Sequence, residues 1–221
     1  MLSAALDSTG NHAEFALLEE GEVVLEALRP MRGREGAALP EFVLSELGKV
    51  GVKLEAIRRW SVGAGPGSFT GIRLVAALVA GWCFGHEGVV GRCLPGAIAL
   101  GSALSPAPGE RLGALYDGRN REFIYYGLAA DGNGELAPSG ESEVLTAEAA
   151  REFFRDRAPE RLAVAACEAD AVAALLPEGV AFTSVGEISA APLARNSRFA
   201  FDNDFTKLVY IRPAVFPPKG T

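Results

Sequence analysis

The sequence predicts a duplicated α/β fold with mixed sheets, and three observations support this prediction. Of the 221 residues, 49% are apolar, which is enough to bury a substantial core. A similar order of elements occurs twice along the chain: antiparallel strands come first, and helices then alternate with strands. Each half also opens with a strand that ends in an aspartate at a polar turn, namely Asp7 and Asp117.

The elements of the first half follow from apolar runs, helical stripes and turn residues. The helix near residue 40 is indicated by Leu39, Phe42 and Val43, which share one stripe with Leu47 and Val50. In chain order, the predicted elements are a strand over 2–6, a hairpin over 13–28, a helix over 38–50, a strand over 60–63, a helix after a glycine-rich loop, a strand over 88–91 and a helix over 95–104.

The second half repeats this pattern after the linker "SPAPGE" at residues 105–110. Thr146 is expected to cap a helix whose Phe153 and Phe154 face inward. In chain order, the predicted elements are a strand over 111–118, a strand and turn over 122–135, a helix over 146–156, a strand over 161–167, a helix over 168–176, a strand over 180–185, a helix over 188–199 and an extended tail over 208–219. The predicted domains are therefore 1–104 and 105–221, with the tail packing back on the first.

Composition excludes several classes of protein. A net charge of -7 argues against a chain that itself grips a nucleic-acid backbone. The three cysteines lack C-x-x-C spacing, so we expect them to be reduced and buried. The apolar run over 72–84 is shorter than the roughly 18 residues that suggest a membrane span. With no signal peptide evident, the sequence predicts a cytoplasmic protein.

The glycine-rich loop "GAGPGSFTGIR", residues 63–73, is open to three interpretations. Glycines before a helix can cradle a phosphate, build a protein contact, or form a tight strand-to-helix turn. The loop lacks the lysine of a P-loop, and Ser68 does not meet the G-x-S-x-G spacing of a nucleophile elbow. Spacing therefore favours a turn or a contact surface over phosphate binding.

The helix after this loop is apolar almost all round, with Arg73 as its one charge. Such a helix is buried either in its own core or against another subunit. Together with the stripe on the helix over 38–50, it predicts a two-helix docking face.

The two aspartate turns are the third candidate site. Asp7 and Asp117, facing each other across a cleft, would suit a Mg-nucleotide held between the halves, although aspartate is also a common turn former. The candidate nucleotide-binding residues are Asp7, Ser8, Thr9, Gly10, Asp117 and Gly118. His12 and His86 have no partner at ligand spacing, so neither a metal site nor a catalytic dyad is predicted.

Four segments together resemble the bacterial TsaB (YeaZ) family, whose members are subunits of the machinery that makes threonylcarbamoyl-adenosine in tRNA. The first two are "GAGPGSFTGIR" and "LDSTG". The third is "YDGRNREFIYYGL", with Asp117, Arg119, Glu122 and Tyr125 in matching places, and the fourth is "VYIRPA", with Tyr210 and Arg212.

This resemblance implies an RNase H-like/actin-like (ASKHA) two-domain fold and a non-catalytic subunit that binds and activates the transferase TsaD. It further implies contact with the TsaE ATPase through the complex, a homodimer when alone, only indirect contact with tRNA, no membrane and no metal. No cofactor is expected to bind tightly, with Mg-ATP or ADP held only at a joint site. The implied interface residues are Leu39, Phe42, Val43, Gly65, Pro66, Gly67, Ser68, Phe69, Thr70, Gly71, Arg73, Val75, Leu78, Val79 and Trp82.

Two alternatives are distinguishable. An autonomous actin-like ATPase or small-molecule kinase would use Asp7 and Asp117 around Mg-nucleotide, but the turn "DSTG" is looser than the phosphate loop of actin-like ATPases. A metal-dependent peptidase would need ligands that the sequence lacks, including the histidine pair that TsaD carries on its first long helix.

Overall fold

The structure is a computed structural model that describes residues 1–31, 35–156 and 161–211. Arg212 and most of the predicted extended tail lie outside the described residues. The strands are β1 (Leu2–Asp7), β2 (His12–Glu19), β3 (Glu22–Pro30), β4 (Ile57–Gly63), β5 (Val90–Leu94), β6 (Arg111–Arg119), β7 (Glu122–Ala130), β8 (Leu136–Thr146), β9 (Arg161–Ala165) and β10 (Thr183–Val185). The helices are α1 (Leu39–Lys49), α2 (Phe69–Gly85), α3 (Ala97–Ser102), α4 (Ala147–Asp156), α5 (Ala169–Ala173) and α6 (Ala191–Arg195).

Two five-stranded sheets have the same topology. The first has the order β3-β2-β1-β4-β5 and the second β8-β7-β6-β9-β10. In each sheet the first three strands of the half are antiparallel, and the last two join in parallel. The predicted duplicated α/β fold with mixed sheets is therefore confirmed.

The layers follow from which faces are apolar. Helices α1 and α2 pack on the outer face of the first sheet around Trp60, and α4 and α5 pack on the outer face of the second around Phe123. A central core lies between the two sheets. It contains α3, which packs on the second sheet, and α6, which packs on the first. The last helix of each half thus covers the sheet of the other half.

The chain returns to the first half after α6. Asn203 exchanges hydrogen bonds with Gly91: its main-chain N–H donates to the Gly91 carbonyl, and its Oδ1 accepts from the Gly91 N–H at 2.6 Å. The N–H of Val209 donates to the carbonyl of Ala64 at 2.7 Å. These contacts lie beside the first sheet, while the boundary between residues 104 and 105 stays a prediction.

Two expectations need correction. Strand β8 was not predicted, because "LAPSGESEVLT" holds proline, glycine and many polar residues, which an edge strand tolerates. Cys83 and Cys93 are buried as expected, but Cys167 is exposed. Among the described helices, none combines the length and the apolar character needed to cross a bilayer.

Candidate functional site

A cavity of about 640 Å³ lies between the two halves, at the ends of their first strands. Its walls come from the turn after β1, the glycine-rich loop, the β6–β7 turn and residues 209–211. Ser8, Thr9, Gly10, Asp117 and Gly118 line it, as the predicted nucleotide site requires, but Asp7 does not.

Asp7 is buried and stabilises the turn that follows β1. Its carboxylate Oδ1 accepts a hydrogen bond from the Thr9 N–H at 2.7 Å, and the residue is only 3% exposed. A Cβ placed on Gly63 would lie 2.0 Å from Asp7 Oδ2, and one placed on Gly96 would lie 2.6 Å away. Burial raises the pKa of Asp7, although hydrogen bonds from Thr9 and Ser8 act against it. The predicted pairing of Asp7 with Asp117 across the cleft is therefore corrected, because Asp7 is buried beneath its own turn and does not line the cavity.

Asp117 borders the cleft, but its carboxylate already contacts Arg119 of its own turn. Its Oδ1 accepts from the Arg119 N–H at 2.8 Å, and its Oδ2 lies 2.9 Å from the Arg119 guanidinium. Its own N–H donates to Glu168 Oε2 at 2.9 Å. The two halves thus share one turn motif. The carboxylates of Asp7 and Asp117 each accept a hydrogen bond from the N–H of the residue two positions later.

The glycine-rich loop packs directly on the turn after β1. The Ser68 N–H donates to the Thr9 carbonyl at 2.7 Å. A Cβ on Gly67 would lie 2.3 Å from that same oxygen, and a Cβ on Gly71 would lie 1.8 Å from the Ser8 carbonyl oxygen. Only glycine permits these close contacts. The same reason applies to Gly65, because a Cβ there would lie 2.6 Å from the Val209 carbonyl oxygen.

This packing bears on the three interpretations of the loop. The backbone that approaches these glycines belongs to this chain, so intramolecular contacts require Gly65, Gly67 and Gly71. Pro66 between them is buried. Of the N–H groups at the start of α2, Ser68 donates to Thr9, and Gly71 donates to the Ser68 hydroxyl at 3.2 Å as a helix cap. The geometry supports a tight strand-to-helix turn.

Aromatic and cation–π contacts hold Tyr210 against the start of α2. The Arg73 guanidinium lies 3.7 Å from the centre of the Phe69 ring. Its Nε donates to the Tyr210 hydroxyl at 3.1 Å, and the Phe69 and Tyr210 rings are 5.0 Å apart. The tyrosine of the predicted C-terminal element therefore closes one side of the cleft.

Outside residues 65–67 and Gly71, the predicted docking residues are either buried in the core or at least partly exposed. Five are core residues of this chain, and their predicted interface role is corrected, because side chains no more than 5% exposed cannot reach a partner: Leu39, Phe42, Val43, Val75 and Val79. Ser68, Phe69, Thr70 and Arg73 are exposed, whereas Leu78 and Trp82 are half-buried.

One face of α2 is open to solvent along its length. It consists of Thr70, Arg73, Ala77, Gly81 and Phe84, which we call the outer stripe. Phe84 is 96% exposed, although Cys83 beside it is buried. An exposed helix face with one charged residue differs from that of an ordinary surface helix, which has several.

Two solved structures share the whole architecture of this chain. YeaZ from Pseudomonas aeruginosa matches with a TM-score of 0.70 and 23% identity, over 87% of this chain and 88% of that one. A protein described as having similarity to peptidase YeaZ from Pseudomonas aeruginosa matches with a TM-score of 0.75 and 24% identity, over 96% and 99%. The chain has the YeaZ fold. Ethanolamine utilization protein EutJ from Carboxydothermus hydrogenoformans is more distant, with a TM-score of 0.51 and 11% identity over 88% of both chains.

The predicted two-domain actin-like fold is thereby confirmed. Comparisons with protein-family models and with curated proteins found no match. Within the described ranges, no three His, Cys, Asp or Glu side chains are grouped in a way that would hold a metal ion.

Two acidic residues, Glu14 and Glu168, were not singled out from the sequence. Glu14 is 8% exposed and lies opposite Asp7 in the antiparallel register of β1 and β2. Burial, followed by the charge of Asp7, raises the pKa of Glu14 to about 9. Burial also raises the pKa of Glu168. The signal for Glu14 is an acid inside the apolar run "AEFALL", whereas nothing local marks Glu168.

Proposed function

We propose that this chain is a TsaB-type, non-catalytic subunit that binds and activates the TsaD transferase of the tRNA threonylcarbamoyladenosine complex. The observation that carries the proposal is the outer stripe of α2. The resemblance of four sequence segments to the TsaB family and the YeaZ fold support the same assignment.

The outer stripe has the properties of a docking surface. Ala77 and Gly81 are one helical turn apart and let another helix approach closely. Phe84 offers a large apolar side chain at the end of the stripe. Arg73 is its one charged member and is already engaged by Phe69 and Tyr210. Interface cores are depleted in charge and enriched in aromatic residues, as this stripe is.

The cleft does not support an autonomous ATPase. Asp7 is buried, Asp117 is bound by Arg119, and the Ser68 N–H is bound by Thr9. No lysine lines the cavity among the described residues. These residues do not fit a Mg-nucleotide held by this chain alone, so Mg-ATP or ADP is proposed only for a joint site in the complex. Homodimer formation through the outer stripe and contact with TsaE through TsaD belong to the same proposal, as does indirect contact with tRNA.

Size-exclusion chromatography with light scattering tests the proposal on this chain, alone and mixed with TsaD from the same organism. Ala77→Arg is the variant to use, since it places a long cation on the outer stripe without entering the core. A substitution at Val75 would be unsuitable, because that side chain is fully buried. The matched control is Ala149→Arg, at an exposed alanine on α4 across the molecule.

We expect a heterodimer with the wild-type chain and with Ala149→Arg, and its loss with Ala77→Arg. Circular dichroism should show that both variants remain folded. A folded wild-type chain that forms no complex with TsaD would overturn the proposal. Equal binding by both variants would move the docking surface away from α2.

A further inference from the structure

A second cavity, of about 480 Å³, lies at the other end of the first sheet. Ser3 and Arg59, near the starts of β1 and β4, line it, whereas the cleft lies where those strands end. Its remaining wall is formed largely by residues 194–197, Phe199 and Phe201. Among the described residues, the second cavity shares no lining residue with the cleft and includes none of the outer stripe, so it is independent of the proposed function.

Arg92 forms the floor of this cavity and is only 2% exposed. Its Nε donates to the Ser61 hydroxyl at 3.0 Å, and its two terminal nitrogens donate to the carbonyl groups of Phe199 at 2.6 Å, Leu193 at 3.0 Å and Ala194 at 3.1 Å. A guanidinium has five N–H donors, so these four bonds leave one on the nitrogen that binds Phe199.

The charge of Arg92 has no directly bonded counter-charge within the described ranges. All four acceptors are neutral oxygens, whereas a buried cation is ordinarily paired with an anion. Burial and the neighbouring Arg59 lower the pKa of Arg92 to about 10, and Glu135 acts weakly in the opposite direction. Glu135 itself is bound by Ser197.

Two further guanidinium groups stand at the cavity mouth. Arg59 is exposed, and its guanidinium carbon lies 5.2 Å from the centre of the Phe201 ring. The guanidinium carbon of Arg92 lies 4.0 Å from the centre of the same ring. Arg195 donates from Nε to the Gly21 carbonyl at 2.9 Å, and its terminal nitrogens have no hydrogen-bond acceptor within the described ranges. The one acid among the described lining residues, Glu20, is paired with the amino group of Met1.

We propose that this cavity binds a small molecule through a phosphate or carboxylate group, held between Arg59 and Arg195 above Arg92. Three arginines line this cavity in a chain whose net charge is -7. The planar fork of each guanidinium matches two oxygens of such an anion. The bound anion would supply the counter-charge that Arg92 lacks.

Nuclear magnetic resonance titration of the ¹⁵N-labelled full chain tests this, with inorganic phosphate and succinate as separate probes. Sodium chloride keeps the ionic strength constant, so that general screening does not imitate binding. We expect saturable shifts of the Ser197, Phe199 and Phe201 amides. Arg59→Gln and Arg195→Gln should each weaken binding roughly fivefold.

Arg58→Gln is the matched control. Arg58 is exposed, precedes Arg59 on β4, and donates to the Glu87 carbonyl outside the cavity. Saturation by phosphate alone, or by succinate alone, supports the proposal and selects the phosphate or the carboxylate. Saturation by neither overturns it, as does an Arg58→Gln variant that loses as much affinity as Arg59→Gln.

Discussion

Glu14 is a carboxylic acid in a buried strand, directly opposite Asp7. Its pKa of about 9 in the folded chain compares with 4.5 for an unperturbed glutamate. Between these values the unfolded chain releases the proton and the folded chain keeps it. Stability therefore falls as pH rises through this range, since the folded state binds more protons. Because burial raises its pKa to about 9, Glu14 is protonated at neutral pH in the folded chain.

Replacing Glu14 by glutamine should remove this dependence. We expect Glu14→Gln to be more stable than the wild type by about 5 kcal/mol at pH 8 and by about 1 kcal/mol at pH 5, because each unit of pKa shift corresponds to about 1.4 kcal/mol. Urea unfolding at the two pH values measures it. Glu19→Gln, at the exposed end of the same strand, is the control and should leave the pH dependence unchanged. Parallel curves for Glu14→Gln and the wild type would contradict the burial of a protonated Glu14.

At the scale of elements, the junction between β4 and α2 is fixed by backbone contact. The first turn of α2 lies against the carbonyl groups of Ser8 and Thr9, with no room for side chains between them. This places the start of α2 and aims its buried face at the first sheet, so the outer stripe faces solvent as a consequence. The turn after β1 and the direction of α2 are therefore one structural unit.

Two glycines on α2 give a direct test. Gly71→Ala should destabilise the chain by about 3 kcal/mol, because its Cβ would lie 1.8 Å from the Ser8 carbonyl oxygen. In the monomer, Gly81→Ala should instead be stabilising by up to roughly 1 kcal/mol, since no atom of the described residues lies within 4 Å of the added Cβ and alanine favours a helix. Thermal unfolding of the isolated chain measures both. Similar melting temperatures for the two variants would disprove the tight packing.

At the scale of the whole molecule, the two halves share one central core. Helix α3 of the first half packs on the second sheet, and α6 of the second half packs on the first. Arg92 reinforces this exchange, because it binds carbonyl groups at both ends of the segment from Leu193 to Phe199. Each half without the other would expose the inner face of its sheet and leave its last helix without a partner.

A fragment of residues 1–104 should therefore fail to form a native core. We expect poorly dispersed amide signals and no cooperative unfolding transition from this fragment alone, because the face that holds Ala5, Ala16 and Leu18 loses α6. Mixing it with residues 105–221 should restore a cooperative transition. A fragment 1–104 that unfolds cooperatively by itself would show that the halves are independent domains.

The sequence by itself determined the duplicated order of elements, the mixed sheets and the two aspartate turns. These follow from local information: apolar periodicity, turn residues and the N-cap at Thr146, whose hydroxyl accepts from the Ala149 N–H at 3.2 Å. The resemblance to the TsaB family supplied the actin-like fold, which the shared YeaZ architecture supports.

Only the tertiary structure decided which residues serve a surface and which serve the core. Val75 and Ala77 look alike in an apolar helix, yet Val75 is fully buried and Ala77 is exposed, since the side on which α2 packs depends on the first sheet. Arg59 and Arg92 are far from Arg195 in sequence and meet at one cavity because α6 crosses to the other half. Local sequence sets the conformation of each element, whereas contacts between distant segments determine what each face of it meets.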